Sequence, residues 1–401
     1  MSTLMEPFEA KFGLPEQVKF CARCVISNQR PCSTVEHTSR PGEQKPTIHF
    51  DEEGVCDACR VAEQKEKIDW AERERELLDL CAKWRSPSGK FDCIVPGSGG
   101  KDSFYAAHVL KTKYGMHPLL VTWAPHIFTD WGRRNLERWT SLAPHVLVTP
   151  DREVHRFLTR LALENLFHPF QPFVIGQKNL APRLTVPTGI PLVFYGENES
   201  EYGNPIAENG PIRDQRYHSG SKDLALGGES IESLRSALTD AQLAPYLPAL
   251  DNFAQVHYLG YYLKWHPQSA YYYAVEHGEF ECAPERSPGT YSKYNSIDYK
   301  VDDLHYWTTY IKFGIGRATY DAAQEIRSGE ITREEGVSLV RKYDGEYPER
   351  FEKELFEYLS VPGFKPMTRD HLMDLACKFR SPHLWKCLGP YGTWELRERV
   401  S

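Results

Sequence analysis

The sequence has no run of eighteen consecutive apolar residues, so no segment qualifies as a membrane-crossing helix. Its first residues, MSTLMEPFEAKFGLPEQ, lack the basic start and apolar stretch of an export signal, and the expected location is the cytosol. No internal repeat or low-complexity tract is present, which excludes solenoids and disordered arrays. Nor is there an excess of positive charge: 48 basic residues against 55 acidic ones leave a net charge of −7. A nucleic-acid partner held mainly by phosphate neutralisation is disfavoured on that balance. What the 401 residues do hold is 41% apolar and 12% aromatic residues, enough for a large core and more than one average domain.

Ten cysteines without an export signal point to metal binding, catalysis or burial rather than to disulfides. Four fall in two pairs, Cys21-x-x-Cys24 and Cys56-x-x-Cys59. Each pair sets two thiolates on one tight turn, and two facing turns supply the four soft ligands of a tetrahedral zinc. A structural zinc ribbon within residues 1–65 is the first reading, and a redox-active dithiol is the rival. Four protein ligands leave the ion no open position, so it would organise the chain or a partner surface and not react. Cys32 is an extra cysteine outside the ligand set. Cys81, Cys93, Cys282, Cys377 and Cys387 are scattered singly and read as small buried residues.

After the cysteine module the charged stretch VAEQKEKIDWAERERELLDLCAKW reads as a helix, with residues 66–88 taken as a linker. The short apolar runs FDCIVP (91–96), PLLVTW (118–123), HVLVT (145–149) and IPLVFYG (190–196) then alternate with helical patterns at 102–114, 152–166 and 174–185. Alternation of this kind predicts an α/β, doubly wound parallel sheet over 89–205. Residues 206–300, rich in glycine, proline and tyrosine, show no clean period and are taken as an insertion or substrate-binding region. Residues 301–401 read as a helical C-terminal region.

The strongest local signal is Pro96-Gly97-Ser98-Gly99-Gly100-Lys101-Asp102-Ser103, between the end of a strand and the start of a helix. Glycines let backbone amides approach a phosphate closely, and the helix N-terminus adds unsatisfied N–H groups. Lys101 adds a mobile full charge. Val95 stands where a Walker A loop needs glycine and Asp102 where it needs Ser or Thr, so cleavage at the γ-phosphate is disfavoured. A hard cation prefers carboxylate oxygen, which makes Asp102 the magnesium candidate. Tyr195-Gly196-Glu197-Asn198 ends the fourth strand, and ligands of open α/β sheets gather outside the carboxyl ends of strands. Gly196 would then line the nucleotide site, Glu197 would share the magnesium, and Asn198, followed by Glu201 and Tyr202, would orient substrate. Trp123 ends the second strand, where such folds place adenine, with a core tryptophan as the alternative.

The gapless SGG-x-DS match of Ser98–Ser103 resembles the PP-loop of the ATP pyrophosphatases, a HUP-like fold in which the loop holds the departing pyrophosphate. With GQKN (176–179), YGENESEYGN (195–204), YSKYNS (291–296), YIKFGIGRATYDAAQEIRSGEITREE (310–335) and KYDGEYP (342–348), the chain resembles the N-acetyl sugar amidotransferases. That family acts in lipopolysaccharide and O-antigen biosynthesis and carries a four-cysteine module before a PP-loop domain. The resemblance implies that ATP adenylates the acetamido oxygen of an N-acetylated nucleotide sugar and that ammonia replaces it, giving an acetamidino sugar, AMP and pyrophosphate. It implies ATP, Mg2+ and structural Zn2+ as cofactors. It also implies partner glutaminase and cyclase-like subunits resembling imidazole glycerol phosphate synthase, since the residue after Met1 is Ser2 and no glutaminase motif accompanies the chain. Lys178, Lys293, Lys312 and Arg317, each basic in a family-like stretch, become candidates for the substrate's phosphates or a sugar carboxylate. Tyr271-Tyr272-Tyr273 could stack on a base or pack in the core. The alternative is a PP-loop enzyme that thiolates tRNA.

Overall fold

The structure, a computed structural model, describes residues 9–32, 36, 38, 44–203, 224–248, 253–388 and 394–401. Asn204 of the YGENESEYGN stretch and residues 206–223 of the expected insertion lie outside these. Among the described residues no helix is long and apolar enough to cross a membrane.

Five strands form the central sheet: β1 (Cys93–Pro96), β2 (Pro118–Trp123), β3 (His145–Val148), β4 (Leu192–Tyr195) and β5 (Gln255–Tyr258). All pairs are parallel, in the order β3-β2-β1-β4-β5. The central runs β1, β2 and β4 are largely apolar because helices cover both faces, and β2 is buried at every position, whereas the edge strand β3 is only partly buried. Alternation within the strands divides the core in two. Ile94, Val121 and Val193 face one apolar cluster with α5 (Arg152–Leu166) and α6 (Gln171–Thr188). Cys93, Val95, Leu120, Leu192 and Phe194 face the other, with α2 (Trp70–Trp84), α3 (Lys101–Thr112), α4 (Asp130–Thr140) and α7 (Pro267–Gly278). Strand order runs outward from β1 to β3 and then jumps to β4. The crevice between the carboxyl ends of β1 and β4 is therefore the topological switch point.

Three expectations need correction. The sheet does not end at 205, because β5 lies in the stretch where no period was legible. Its four residues end in His257 and Tyr258, polar groups buried at the sheet edge, with His257 Nδ1 2.7 Å from Tyr262 Oη. The linker helix is two helices. α1 (Asp57–Lys65) begins inside the cysteine module, and the Asp69 carboxylate starts α2 afresh by accepting from the amides of Ala71 and Glu72. α2 is no spacer, since Leu77 and Cys81 bury against the sheet's second core. Among the single cysteines, Cys81 and Cys93 are buried, but Cys377 and Cys387 are exposed.

The C-terminal region is helical, as α8 (Val301–Phe313), α9 (Arg317–Arg327), α10 (Arg333–Tyr343), α11 (Glu352–Leu359) and α12 (Arg369–Phe379). It closes with an antiparallel pair, Trp385–Cys387 with Trp394–Leu396.

Candidate functional site

The glycine turn is fixed by close approach. A Cβ on Gly97 would overlap the Ser103 side chain, and Gly99, at φ +87°, would place one 2.6 Å from the Asn135 carbonyl oxygen. Gly100 caps α3 without a side chain, which leaves first-turn amides for an anion. Lys101 is 6% exposed; its Nζ lies 2.7 Å from Asp102 Oδ2 and 5.6 Å above the Trp265 ring. Trp265 Nε1 donates to Asp102 Oδ1 at 3.1 Å. Gly196 passes so close that a Cβ there would stand 3.0 Å from the Asp102 carbonyl oxygen, and this brings Glu197 to Asp102. Burial, then the neighbouring Asp102 charge, pushes the Glu197 carboxyl up to about 8. Two carboxyl groups brought together beside the free first-turn amides of α3 form a donor set of hard oxygens that fits magnesium. Sequence reading missed Trp265, a single tryptophan in a stretch without period, and Asp298, whose carboxyl takes the Ser98 hydroxyl.

The four module cysteines converge as their spacing predicts. Their sulfurs lie within 4.8 Å of one another, with Cys21–Cys59 and Cys24–Cys56 separations of 3.8 Å. A tetrahedron with metal–sulfur bonds near 2.3 Å has edges of about 3.8 Å, the separation of those two pairs, so the donor set suits zinc. Amides of Arg23, Cys24 and Cys56 point at Cys21 Sγ at 3.3–3.5 Å, the direction that stabilises a thiolate. The module is docked rather than appended: Val25 and Ile48 share a core with Ile315, Ala322, Ala323 and Val337 of the C-terminal region. Lys65 pairs with Glu201 at 2.7 Å, and Gly203 packs on Ile48, which ties the module to the turn after β4.

Between module, glycine turn and C-terminal helices lies a cavity of about 770 Å³. Ser98, Gly100, Lys101, Asp102, Glu197 and Tyr202 line its loop side, while Lys312 and Arg317 line its helix side. Burial raises the Tyr202 phenol well above its usual range, with Glu197 beside it. Arg317 pairs with Asp321 at 2.9 Å and donates to the Tyr306 hydroxyl. Lys312 is consumed structurally: it is 1% exposed, pairs with Glu36 at 2.7 Å and donates to the Leu166 carbonyl at 2.7 Å.

Other expected contacts go elsewhere. Trp123 is 4% exposed in the core, edge-on to Tyr246 at 5.6 Å, and Gly176 of GQKN exists because a Cβ there would overlap its indole. Asn198 is buried and spends its amide oxygen on the Ser200 amide, capping the turn Glu199–Tyr202. Lys178 pairs with Glu199 and Glu201 with Lys65, while Lys293 points outward and donates to the Pro284 carbonyl. None of these five lines the cavity. Tyr271 stacks on Tyr294 at 4.2 Å and Tyr273 meets Tyr105 edge-on, both as packing. KFGIGRA and KYDGEYP interlock: Asp344 accepts from the amides of Gly316 and Thr319, fixing the start of α9, and burial pushes its carboxyl up to about 7.

Strand order and glycine turn together define a PP-loop-type α/β protein with a four-cysteine module. Residues 288–400 match the C-terminal domain of the WbpG-like lipopolysaccharide biosynthesis proteins. That match takes in the YIKFGIGRATYDAAQEIRSGEITREE and KYDGEYP stretches, and it supports their resemblance to a lipopolysaccharide-biosynthesis family. An uncharacterized protein of Methanocaldococcus jannaschii is 31% identical over 90 residues, 22% of this chain and 31% of the relative, so the chain spans about a third of that relative's length. Among solved structures, an NMN synthetase of Francisella tularensis superposes with a TM-score of 0.27 and 10% identity, over 75% of this chain and 100% of that one. A predicted tRNA methyltransferase subunit of Methanocaldococcus jannaschii gives 0.25 and 15%, over 58% and 92%. Neither superposition is close enough to carry an argument.

Proposed function

We propose that the protein is an AMP-forming amidotransferase that converts an acetamido group of a nucleotide-linked sugar into an acetamidino group in surface-glycan biosynthesis. The observation that carries this reading is the juxtaposition, at the mouth of one 770 Å³ cavity, of a phosphate-cradling turn and two carboxylates that share charge.

Gly97–Ser103 would hold the phosphates of ATP, with Lys101 on the departing pyrophosphate and Asp102 and Glu197 holding magnesium. Bound there, the ion would neutralise charge building on the leaving group. The acetamido oxygen attacks the α-phosphorus as the α–β bridge bond breaks and pyrophosphate leaves. Ammonia then forms a bond to the imidate carbon, and AMP departs carrying the former amide oxygen. This sequence needs no enzyme nucleophile, only positioning and charge stabilisation. Zinc on the four cysteines would hold the module as a wall of the cavity and take no part in the chemistry. The ammonia is expected from glutaminase and cyclase-like partner subunits.

A tRNA-thiolating reading needs a reactive thiol beside the loop. Cys93, on the strand leading into it, is fully buried and its thiol is pushed well above the usual range, so it does not serve; Cys32, which lines the cavity, is the one cysteine among the described residues that this rival could use. The test is mass spectrometry of purified protein with ATP, magnesium, ammonium and a panel of mono- and diacetamido nucleotide sugars. AMP together with exchange of one sugar oxygen for NH is expected, and ADP as the nucleotide product would overturn the proposal.

A further inference from the structure

The helix side of the cavity carries polar groups that the adenylation chemistry does not use. One stripe of α8 faces inward with Asp302, His305, Tyr306 and Thr309, and one stripe of α9 with Arg317 and Gln324. Asp302 is 5% exposed, lines the cavity and accepts no hydrogen bond from any described residue. Arg317 Nε and His305 Nδ1 are likewise buried without partners. Buried polar groups are costly to leave unmatched, so a cluster of them on one cavity wall marks where a ligand supplies the missing donors and acceptors.

Their position relative to the loop is defined. The Ser98 hydroxyl reaches the Asp298 carboxyl, and Asp298, just before α8, in turn acts electrostatically on Asp302 in the first turn of that helix. Asp302 therefore sits one side chain beyond the phosphate cradle. Burial pushes both carboxyls up toward their neutral form, so this subsite offers hydrogen-bonding groups without charge and suits the neutral body of a substrate rather than its diphosphate. Phe170, Phe173 and Tyr299 line the same cavity and form an aromatic bank with centroids 4.8–5.9 Å apart, an apolar surface for ring C–H groups.

We infer that Asp302, flanked by Arg317 and His305, is the recognition subsite for the sugar ring, with its carboxyl accepting from a ring hydroxyl or acetamido N–H. This deepens the proposed function and rests on it for the identity of the ligand. The buried arrangement is open to both donor types because one carboxyl oxygen can serve either.

The experiment measures binding of nucleotide-linked sugars bearing acetamido groups, and AMP formation from them, in the wild type and in Asp302→Leu. A fluorescent ATP analogue and a thermal melt serve as controls. Asp302→Leu is expected to weaken sugar affinity at least tenfold while ATP-analogue affinity and melting temperature stay unchanged. Asp302→Asn, which keeps an acceptor oxygen, should recover part of the loss. Equal losses of sugar and ATP-analogue affinity would mean a structural role and overturn the subsite. Sugar-dependent AMP formation with unchanged sugar affinity in Asp302→Leu overturns the subsite and leaves the proposed function standing. Asp302-dependent sugar binding without AMP formation does the reverse. A wild type that binds none of these sugars overturns both.

Discussion

The loop wall and the helix wall of the cavity are built on different principles. The loop wall depends on backbone packing: Gly97, Gly99 and Gly196 are there because a side chain would crowd Ser103, Asn135 or Asp102, and that packing sets Ser98, Gly100, Lys101 and Asp102 against the cavity. The helix wall is made of side chains from α8 and α9, held in place by Asp344 at the start of α9 and by the cysteine module behind it. A backbone-built site restricts sequence to glycine and is visible in it. A side-chain-built site uses ordinary helical residues and becomes visible only when two helices are brought face to face.

The largest way to break this comparison is to remove what supports the helix wall. Cys59→Ser leaves three zinc ligands, and structural zinc contributes on the order of 10 kcal/mol in small modules. The variant is expected to lose its metal, by elemental analysis, and its single cooperative melt, by circular dichroism. A fully folded, metal-free Cys59→Ser protein would mean that the module is not a support.

Breaking the loop wall should act on rate and leave stability alone. Asp102→Asn is expected to slow pyrophosphate release about 10²–10³-fold, the scale of losing one charge-stabilising group at a reacting centre. A parallel urea titration should show an unchanged midpoint.

A third test separates support from binding on the helix wall itself. Glu36 and Lys312 form a pair withdrawn from solvent, with burial lowering the Lys312 ammonium to about 8 and the two nearby lysines holding the Glu36 carboxyl at about 2. Glu36→Gln leaves a buried cation unmatched and is expected to cost about 3–5 kcal/mol at pH 7 in urea unfolding. Glu36's folded pKa is depressed, so its contribution is present above the unfolded value of 4.5 and is lost as pH falls towards 2. The gap between wild type and variant should therefore narrow over that window. The smallest effect is expected from Lys293→Ala, which points away from the cavity: AMP formation should stay within about twofold of wild type.

The sheet was legible because both its faces are covered, which makes its strands continuous apolar runs. β5 was hidden because three of its four residues, Gln255, His257 and Tyr258, carry polar groups, His257 Nδ1 meeting the Tyr262 hydroxyl, so no apolar run marks it. The cysteine module was legible because zinc dictates spacing. Among site residues, Ser98, Gly100, Lys101 and Asp102 of the loop line the cavity with Glu197 and Tyr202. Asn198, Lys178 and Lys293 do not, because a turn residue or lysine carries no sequence mark of whether its partner is a ligand, a backbone amide or a neighbouring glutamate. Asp298 and Asp302 were passed over for the converse reason, since acidic residues at a helix start look like ordinary capping.

The most direct test of the central claim follows one atom. With the acetamido carbonyl of an accepted nucleotide sugar labelled with oxygen-18, turnover with ATP, magnesium and ammonium should deliver the label into AMP, with unlabelled pyrophosphate alongside. Label appearing in inorganic phosphate with ADP, or remaining in the sugar while AMP accumulates, would contradict the account.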